Sequence, residues 1–375
     1  MTILDRYVLN KFLVPFLYCI LGFTAIWLVF DLTNNGSDFI NGHAKFGWIV
    51  DFYLSQLPQV MLMILPIGLL LALLYSLTQM SRSNEIISML GAGRSVVRVL
   101  MPLFLIGIFL TGLMTLLNYS GAPHAEKTRK AMLKELNSGK KRDKTITALL
   151  FRNREDMRTW YMRKLRVADQ QIDDVQIMQQ NEKGNILRQW YARDAAYDEA
   201  RKTWTLTDVK IIDTDKEGNI LRPPELHKEL EIKNWSETPW RIGSSMENAD
   251  YLSVPELNDY LKYNADFPAI RLAPFRTQLE NRWAVPWSAI IVVFLAAPMG
   301  IVYSRRGILG GVAMAILLFF LLFLSGNVLV AFGKGFRINP FAAAWSPYLF
   351  FLAIGFVLLW LRSTNRDIRI PKIFG

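Results

Sequence analysis

One carboxylate stands alone in the polar stretch Ser81–Ser95, which lies between two long apolar runs. Asn84 or Ser83 can cap a short helix there, and Glu85 then falls in its first turn, where the helix dipole favours an anion. An acid on such an apolar helix suits pairing with a cation of a partner protein. The alternative is an ordinary turn between two membrane spans. The predicted docking residues are Glu85, Ile86, Met89, Leu90, Gly91, Gly93 and Arg94.

The sequence contains no pattern that is typical of a catalytic or metal-binding site. The three histidines, His43, His124 and His227, are far apart and have no metal-ligand or triad partner at motif spacing. Cys19 is the only cysteine, so neither an intrachain disulfide nor a cysteine zinc site is available. No phosphate-binding G-x-x-x-x-G-K-[ST] motif occurs. We therefore predict no catalytic residue, no metal ligand and no cofactor bound by this chain.

Six apolar stretches without Asp, Glu, Lys or Arg organise the chain. Each has 19 to 25 residues, and about 20 are enough to cross the hydrocarbon layer of a membrane. They contain no side chain suited to a proton relay, so any energy for transport must come from another subunit. The stretches are Phe12–Phe30, Leu57–Met80, Val99–Leu117, Trp283–Tyr303, Ile308–Phe332 and Phe341–Leu361. The polar block between the third and the fourth is long enough for a domain of its own.

Lysine and arginine residues in the short connections predict the orientation of these spans. One side of the membrane holds eleven of them, and the other side holds three, Lys45, Lys334 and Arg337. The sequence therefore predicts cytoplasmic termini and an insertion on the outside. The net charge of +11 arises mostly from this bias, so no nucleic-acid partner is predicted.

The insertion is predicted to combine helices at its ends with strands between them. A basic helix is expected near 123–137, where Glu126 precedes Lys130 by four residues, and a second helix begins at the capping box of Ser253 and Glu256. An all-β sandwich or jelly roll with an open, partly apolar groove fits the strand spacing, and a closed sandwich is the alternative. The predicted strands are Thr159–Leu165, Val175–Met178, Ile186–Ala192, Thr203–Ile211 and Ile220–Leu221, separated by turn signals that include two Gly-Asn pairs.

Short motifs are spread over every part of the chain. They are Leu4-Asp-Arg-Tyr7, Glu85 with Gly91-x-Gly93-x-Ser95, Trp204-x-Leu206, Leu257-x-x-Tyr260-Leu-Lys262 and Asn281-Arg-x-Ala-x-Pro286. With these motifs in this order, the chain resembles the lipopolysaccharide-export permeases of the LptF/LptG type (YjgP/YjgQ-like). The expected fold is membrane α-helical, with six transmembrane helices (3+3) and an inserted all-β, jelly-roll-like periplasmic domain. The expected domains are 1–117, with a coupling helix at about 83–91, then 118–282 and 283–375.

The resemblance implies a permease subunit of an ABC-type exporter in the bacterial inner membrane. Such a subunit extracts lipopolysaccharide or a related glycolipid from the outer leaflet. The implied partners are a second homologous permease subunit, an LptB-like ATPase dimer that binds ATP and Mg, and LptC- and LptA-like periplasmic bridge proteins. The residues implied in the lipid path, between the first and fifth spans, are Phe23, Trp27, Phe30, Phe323, Leu324 and Asn327.

Two features of this lipid path leave alternatives open. An interfacial aromatic belt is the other interpretation of its aromatic residues. Asp31 stands near the outer end of the first span, where members of the family often have a cation, and the nearest cations for lipid phosphates are Lys45, Lys334 and Arg337. Either the partner permease holds the phosphates, or the lipid differs.

A second hypothesis is a membrane-anchored scaffold whose periplasmic β domain binds envelope proteins without transport. Such a scaffold needs no ATPase, so co-purification with an ATPase subunit separates the two hypotheses. A third is an ATPase-coupled protein that pulls on envelope proteins and moves no lipid.

Overall fold

The computed structural model describes residues 3–138, 145–166, 169–181, 183–215, 217–245, 248–301 and 308–364. The chain divides into two compact units. We call them the membrane unit, which comprises Met1–Gly139, Ala249–Leu257 and Ala273–Gly375, and the β unit, which comprises Lys140–Asn248 and Asn258–Leu272.

Eleven helices are present in the described residues. Six segments are long and apolar enough to cross a membrane, which confirms the six predicted spans. In the order of the chain, these segments are α1, α2, α4 with α5, α8 with α9, α10 and α11. The helices are α1 (Ile3–Asn41), α2 (Phe46–Arg82), α3 (Glu85–Gly91), α4 (Val96–Leu116), α5 (Ala122–Ser138), α6 (Pro239–Ser244), α7 (Val254–Tyr263), α8 (Ala269–Ala284), α9 (Ser288–Gly300), α10 (Ile308–Lys334) and α11 (Pro340–Ser363).

The third span continues as one helical segment into the predicted basic helix. A π-helical turn at Leu117–Gly121 joins α4 to α5, and the Asn118 side chain within it donates a hydrogen bond to the main-chain oxygen of Arg282 at 2.7 Å. The Arg282 guanidinium donates in return to Asn118 Oδ1 at 3.0 Å. The Glu126–Lys130 ion pair forms as predicted, at 3.5 Å. The basic helix is therefore the extension of a span and belongs to the membrane unit.

Glycine brings α9 close to its neighbours. A Cβ at Gly107 of α4 would lie 2.8 Å from Val293 Cγ2 of α9, and a Cβ at Gly355 of α11 would lie 2.6 Å from Phe294 Cβ. Small residues at such positions let membrane helices approach closely. Together with most of the apolar part of α2, α9 forms the buried centre of the membrane unit, whereas α1 and α10 are the least buried spans.

The β unit contains one six-stranded antiparallel sheet in which the strands follow one another in chain order. This confirms the predicted all-β insertion. Apolar side chains on one face of the sheet are buried, as the two-residue period of a strand requires. The strands are β1 (Thr145–Asn153), β2 (Arg158–Arg166), β3 (Gln171–Gln180), β4 (Ile186–Asp198), β5 (Thr203–Asp213) and β6 (Glu225–Lys233).

Two details of the strand prediction differ from the structure. The stretch Ile220–Leu221 forms a single bridge, Thr214 to Ile220, because it lies in the tight turn region after β5. The edge strands β1 and β6 were missed, and β6 has mostly exposed or half-exposed charged residues that give no apolar signal. The two Gly-Asn turns are confirmed, since Gly184 and Gly218 have φ angles of +88° and +91°.

A buried ion pair and an aromatic cluster replace disulfides in the β unit. Glu237 is fully buried, and its carboxylate accepts two hydrogen bonds from Arg158, at 2.9 and 3.0 Å, and one from Asn153 at 2.8 Å. Trp204 donates its indole N–H to the main-chain oxygen of Glu237 at 2.7 Å. Its ring lies 5.2 Å from that of Trp160. Buried charges need such complete pairing.

The predicted capping box at the start of α7 is confirmed. The main-chain N–H of Ser253 donates to Glu256 Oε2 at 2.8 Å, and its hydroxyl donates to the same oxygen at 2.7 Å. Burial raises the pKa of the Glu256 carboxyl, but the hydrogen bonds from Ser253 and the interaction with His124 together outweigh it and lower that pKa overall. The carboxyl therefore stays ionised at neutral pH, as the cap requires.

Candidate functional site

The predicted docking helix is present as α3, between the second and third spans. Asn84 is its N-cap residue, but the predicted side-chain cap is wrong because Asn84 has a left-handed backbone and makes no capping hydrogen bond. Ser83 instead donates its hydroxyl to Glu85 Oε1 at 2.9 Å. Glycines stand at its other end, since the helix ends at Gly91 and Gly93 follows with a φ angle of +85°.

The docking residues lie on two sides of α3. Ile86 and Met89 are buried in the apolar core of the membrane unit, because a helix this short must pack one face on its own bundle to be stable. These two side chains therefore pack α3 against its own bundle. Ile87, which the sequence did not single out, is 41% exposed. The outward or half-exposed docking residues are Glu85, Leu90, Gly91, Gly93 and Arg94.

Glu85 has one carboxylate oxygen without a partner. Its Oε2 atom is buried and forms no hydrogen bond within the part of the chain that the structure describes. An unpaired buried carboxylate oxygen is costly, so Glu85 is the member of α3 whose polar contacts are incomplete in the described part of the chain.

Two polar contacts hold the helices on either side of α3 to other parts of the membrane unit. Arg98, at the start of α4, forms an ion pair with the buried Asp5 of α1 at 3.3 Å. Ser81, near the end of α2, donates its hydroxyl to the main-chain oxygen of Gly300 of α9 at 3.3 Å.

The lipid-path candidates of the first span line one cavity, which we call the α1 cavity. It has a volume of about 520 Å³ and lies between α1, α2 and α5. Its aromatic wall is formed by Phe23, Trp27 and Phe30 of α1. Its polar lining comes from Asp31 on α1, Gln56 and Gln59 on α2, and Glu126 and Arg129 on α5.

Two of the three candidates of the fifth span line a second cavity of about 360 Å³, the α10 cavity. Phe323 and Asn327 belong to its lining, together with Tyr251, Arg282 and Tyr348. The α1 and α10 cavities share Gln59, Met63 and Glu126, so they adjoin each other. Leu324 does not contribute to the described lining of either cavity and is 46% exposed.

Asn327 satisfies its amide within its own helix. Its side chain donates to the main-chain oxygen of Phe323 at 2.9 Å, one turn earlier. The partner that a polar side chain needs at this depth is therefore a carbonyl of its own helix.

Arg129 is the cation that sequence reasoning missed. Its guanidinium lies 3.6 Å from Asp31 and 3.5 Å from Glu126, and it lines the α1 cavity beside the aromatic wall. The signal in the sequence is the basic face of α5, a helix that the sequence places in the insertion and not at the end of a span. The cavity therefore combines apolar rings with a cation whose position Asp31 holds.

The three predicted phosphate contacts lie outside the described linings of both cavities. Lys45 is exposed before α2, and Arg337 is exposed after α10. Lys334 forms an ion pair with Asp250, and Asp250 itself lines the α10 cavity. Arg282 also binds this segment, through a hydrogen bond to the main-chain oxygen of Asp250 at 2.6 Å.

The sheet of the β unit carries a groove of about 700 Å³. Apolar, polar and charged side chains all line it. Its lining includes Leu150, Tyr161, Met162, Arg163, Val175, Tyr191 and Lys210.

The family model described as lipopolysaccharide export system permease LptF/LptG matches residues 6–361 of the chain. This range covers α3, the β unit and all six spans, apart from the first three residues of α1 and the last two of α11. A comparison with individually curated proteins gives no match.

Proposed function

Because the chain belongs to the lipopolysaccharide export system permease family LptF/LptG, we propose that it is one permease subunit of an ABC-type exporter. It takes lipopolysaccharide, or a related phosphorylated glycolipid, from the outer leaflet of the inner membrane and passes it to a periplasmic bridge. A separate ATPase that binds ATP and Mg supplies the energy. The observation that carries this proposal is the aromatic wall of the α1 cavity beside Arg129.

The chemistry of the α1 cavity suits an amphipathic anion. Phe23, Trp27 and Phe30 offer apolar surface to acyl chains, and burying a CH₂ group contributes about 0.8 kcal/mol. Arg129 offers a planar guanidinium that can donate two hydrogen bonds to a phosphate. The adjoining α10 cavity extends the path toward Arg282.

The partners follow from the surfaces that this chain leaves uncovered. α1 and α10 are the least buried spans, which leaves their faces for a second homologous permease subunit. Glu85 and the exposed side of α3 serve as the contact for the ATPase dimer. The groove of the β unit receives the lipid for transfer to the bridge proteins.

Photo-crosslinking at two adjacent positions of α1 tests the lipid path. Phe30 lines the α1 cavity and Val29 does not, yet their exposed fractions are similar, 71% and 65%. A benzophenone side chain at position 30 should capture lipopolysaccharide several-fold more than one at position 29, with adducts measured on the purified complex in nanodiscs. Equal capture at both positions would mean that these residues merely face the bilayer.

The orientation has its own test, because the bias of short-loop cations predicts cytoplasmic termini and a periplasmic β unit. Cys19→Ala provides a cysteine-free chain for single-cysteine labelling. In intact spheroplasts, an impermeant thiol reagent should modify Asn185→Cys and spare Ser363→Cys. The reverse pattern would invert the proposed topology.

A further inference from the structure

A third cavity lies away from the lipid path, between the starting half of α1 and the closing half of α2. It is an open groove of about 890 Å³ that shares no lining residue with the α1 and α10 cavities. Tyr7 and Gln79 in its lining lie about one turn from the paired ends of the two helices. We call it the Lys11 groove.

Side chains of both helices border the open space of this groove. In the other half of the hairpin, aromatic contacts hold the two helices together, with ring centroids 5.8 Å apart for Trp27 and Tyr53 and 5.3 Å apart for Phe39 and Phe52. Gly68 still permits close approach, since a Cβ there would lie 2.9 Å from Ile20 Cδ1. In the half of the hairpin that contains the groove, tyrosine side chains on both helices line the open space. Tyr18 and Tyr75 are 72% and 60% exposed.

One end of the groove is cationic and polar. The described lining includes Lys11 and contains no acidic residue. The Lys11 ammonium lies 5.4 Å from the centroid of the Tyr7 ring, and the amides of Asn10 and Gln79 are close along the same end. The nearby acid on α1, Asp5, is buried and paired with Arg98. The charge at this end therefore favours an anion.

The other end of the groove is apolar and lies within one leaflet. Val14, Pro15 and Leu71 form its wall, and Cys19 marks its deep end. From Lys11 to Cys19 the helix rises about 12 Å, which is less than half of the roughly 30 Å hydrocarbon core. A ligand that fills the groove therefore has its anionic group at the membrane surface and its chains in a single leaflet.

We propose that the Lys11 groove binds an anionic phospholipid of the cytoplasmic leaflet, with its phosphate at Lys11 and an acyl chain along Val14 and Leu71. The leaflet assignment rests on the orientation proposed above. Basic pockets between spans on the cytoplasmic side are suited to anionic headgroups, and tyrosine is favoured at this interface. The exported lipid is not a competitor here, because it occupies the opposite leaflet and a different cavity.

The test uses the full-length permease complex in phosphatidylcholine nanodiscs, without lipopolysaccharide or ATP. A benzophenone side chain replaces Tyr75, and trace amounts of a fluorescent phosphatidylglycerol or a fluorescent phosphatidylcholine serve as probes. The matched control is a benzophenone at Met101, which is 44% exposed on α4 and does not line the groove. Capture of phosphatidylglycerol at position 75 should exceed capture of phosphatidylcholine by roughly fivefold, the scale expected for one lysine at an anionic site.

Two further variants assign the preference to the cation. Lys11→Gln should remove the difference between the two probes at position 75, and Lys11→Arg should retain it. Equal capture of both lipids, or a preference that survives Lys11→Gln, would overturn the proposal. Adducts with a second protein chain in place of lipid would also overturn it and identify the groove as a protein interface. Because lipopolysaccharide and ATP are absent, failure here leaves crosslinking at Phe30 as an independent test of the export function.

Discussion

Glu85→Ala is expected to weaken association with the ATPase by at least about 30-fold and to abolish ATP-driven lipid release. The carboxylate has one oxygen held by Ser83 and one buried oxygen without a donor in the described part of the chain. Removing one member of a desolvated charge pair at an interface costs about 2–5 kcal/mol, and about 1.4 kcal/mol is a factor of ten. Co-purification of the ATPase and lipid release from proteoliposomes measure the two effects.

Two variants separate the charge of Glu85 from the fold of α3. Glu85→Gln keeps the size of the side chain and should show the same loss, since the partner needs a negative charge. Glu155→Ala, an exposed acid in the β unit, should leave association unchanged. Normal association and release in both Glu85 variants would remove this residue from the coupling mechanism.

Arg129→Gln is expected to weaken lipopolysaccharide binding by about 10- to 150-fold. A hydrogen bond to a charged group contributes about 1.5–3 kcal/mol, and Arg129 is the guanidinium beside the aromatic wall of the α1 cavity. Binding of lipopolysaccharide to the complex in detergent measures the change. Lys134→Gln is the matched control, because it is an exposed cation on the same helix that lines neither cavity.

Asp31 is expected to weaken lipopolysaccharide binding, whereas Arg129 strengthens it. Its carboxylate lies 3.6 Å from Arg129 and competes with a lipid phosphate for the same guanidinium. Asp31→Asn should therefore tighten lipid binding and slow ATP-driven release. Unchanged binding in both Arg129→Gln and Asp31→Asn would exclude this pair from the lipid site.

The sequence predicts the membrane architecture well because charge-free runs of 19 to 25 residues are typical of membrane spans and rare in a chain that is polar elsewhere. Strand prediction succeeded where apolar and aromatic residues alternate, as in Thr203–Asp213. It failed at β6, whose residues are largely charged and remain half or fully exposed. An edge strand of this kind is stabilised by its pairing with β5, which the sequence does not display.

The residues of the candidate site were harder to predict from the sequence than the spans, because tertiary structure brings them together. The Asp31–Arg129 contact joins residues far apart in the chain, and it arises because the π-helical turn carries the third span on into α5. Tertiary packing also decides which side of α3 faces the bundle, so the sequence predicted Ile86 as a docking residue although Ile87 is the exposed one. Composition could identify the short helix and its lone acid, but not which of its faces is outside.

The most direct measurement of the central claim is ATP-dependent crosslinking at position 30 in the assembled complex with its ATPase. If the α1 cavity holds exported lipid, capture of lipopolysaccharide by a benzophenone at Phe30 should fall when ATP is added. It should stay high when Glu85→Ala is present in the same chain, and capture at Val29 should remain low throughout. Capture at position 30 that is indifferent to ATP, and equal to that at position 29, would contradict the account.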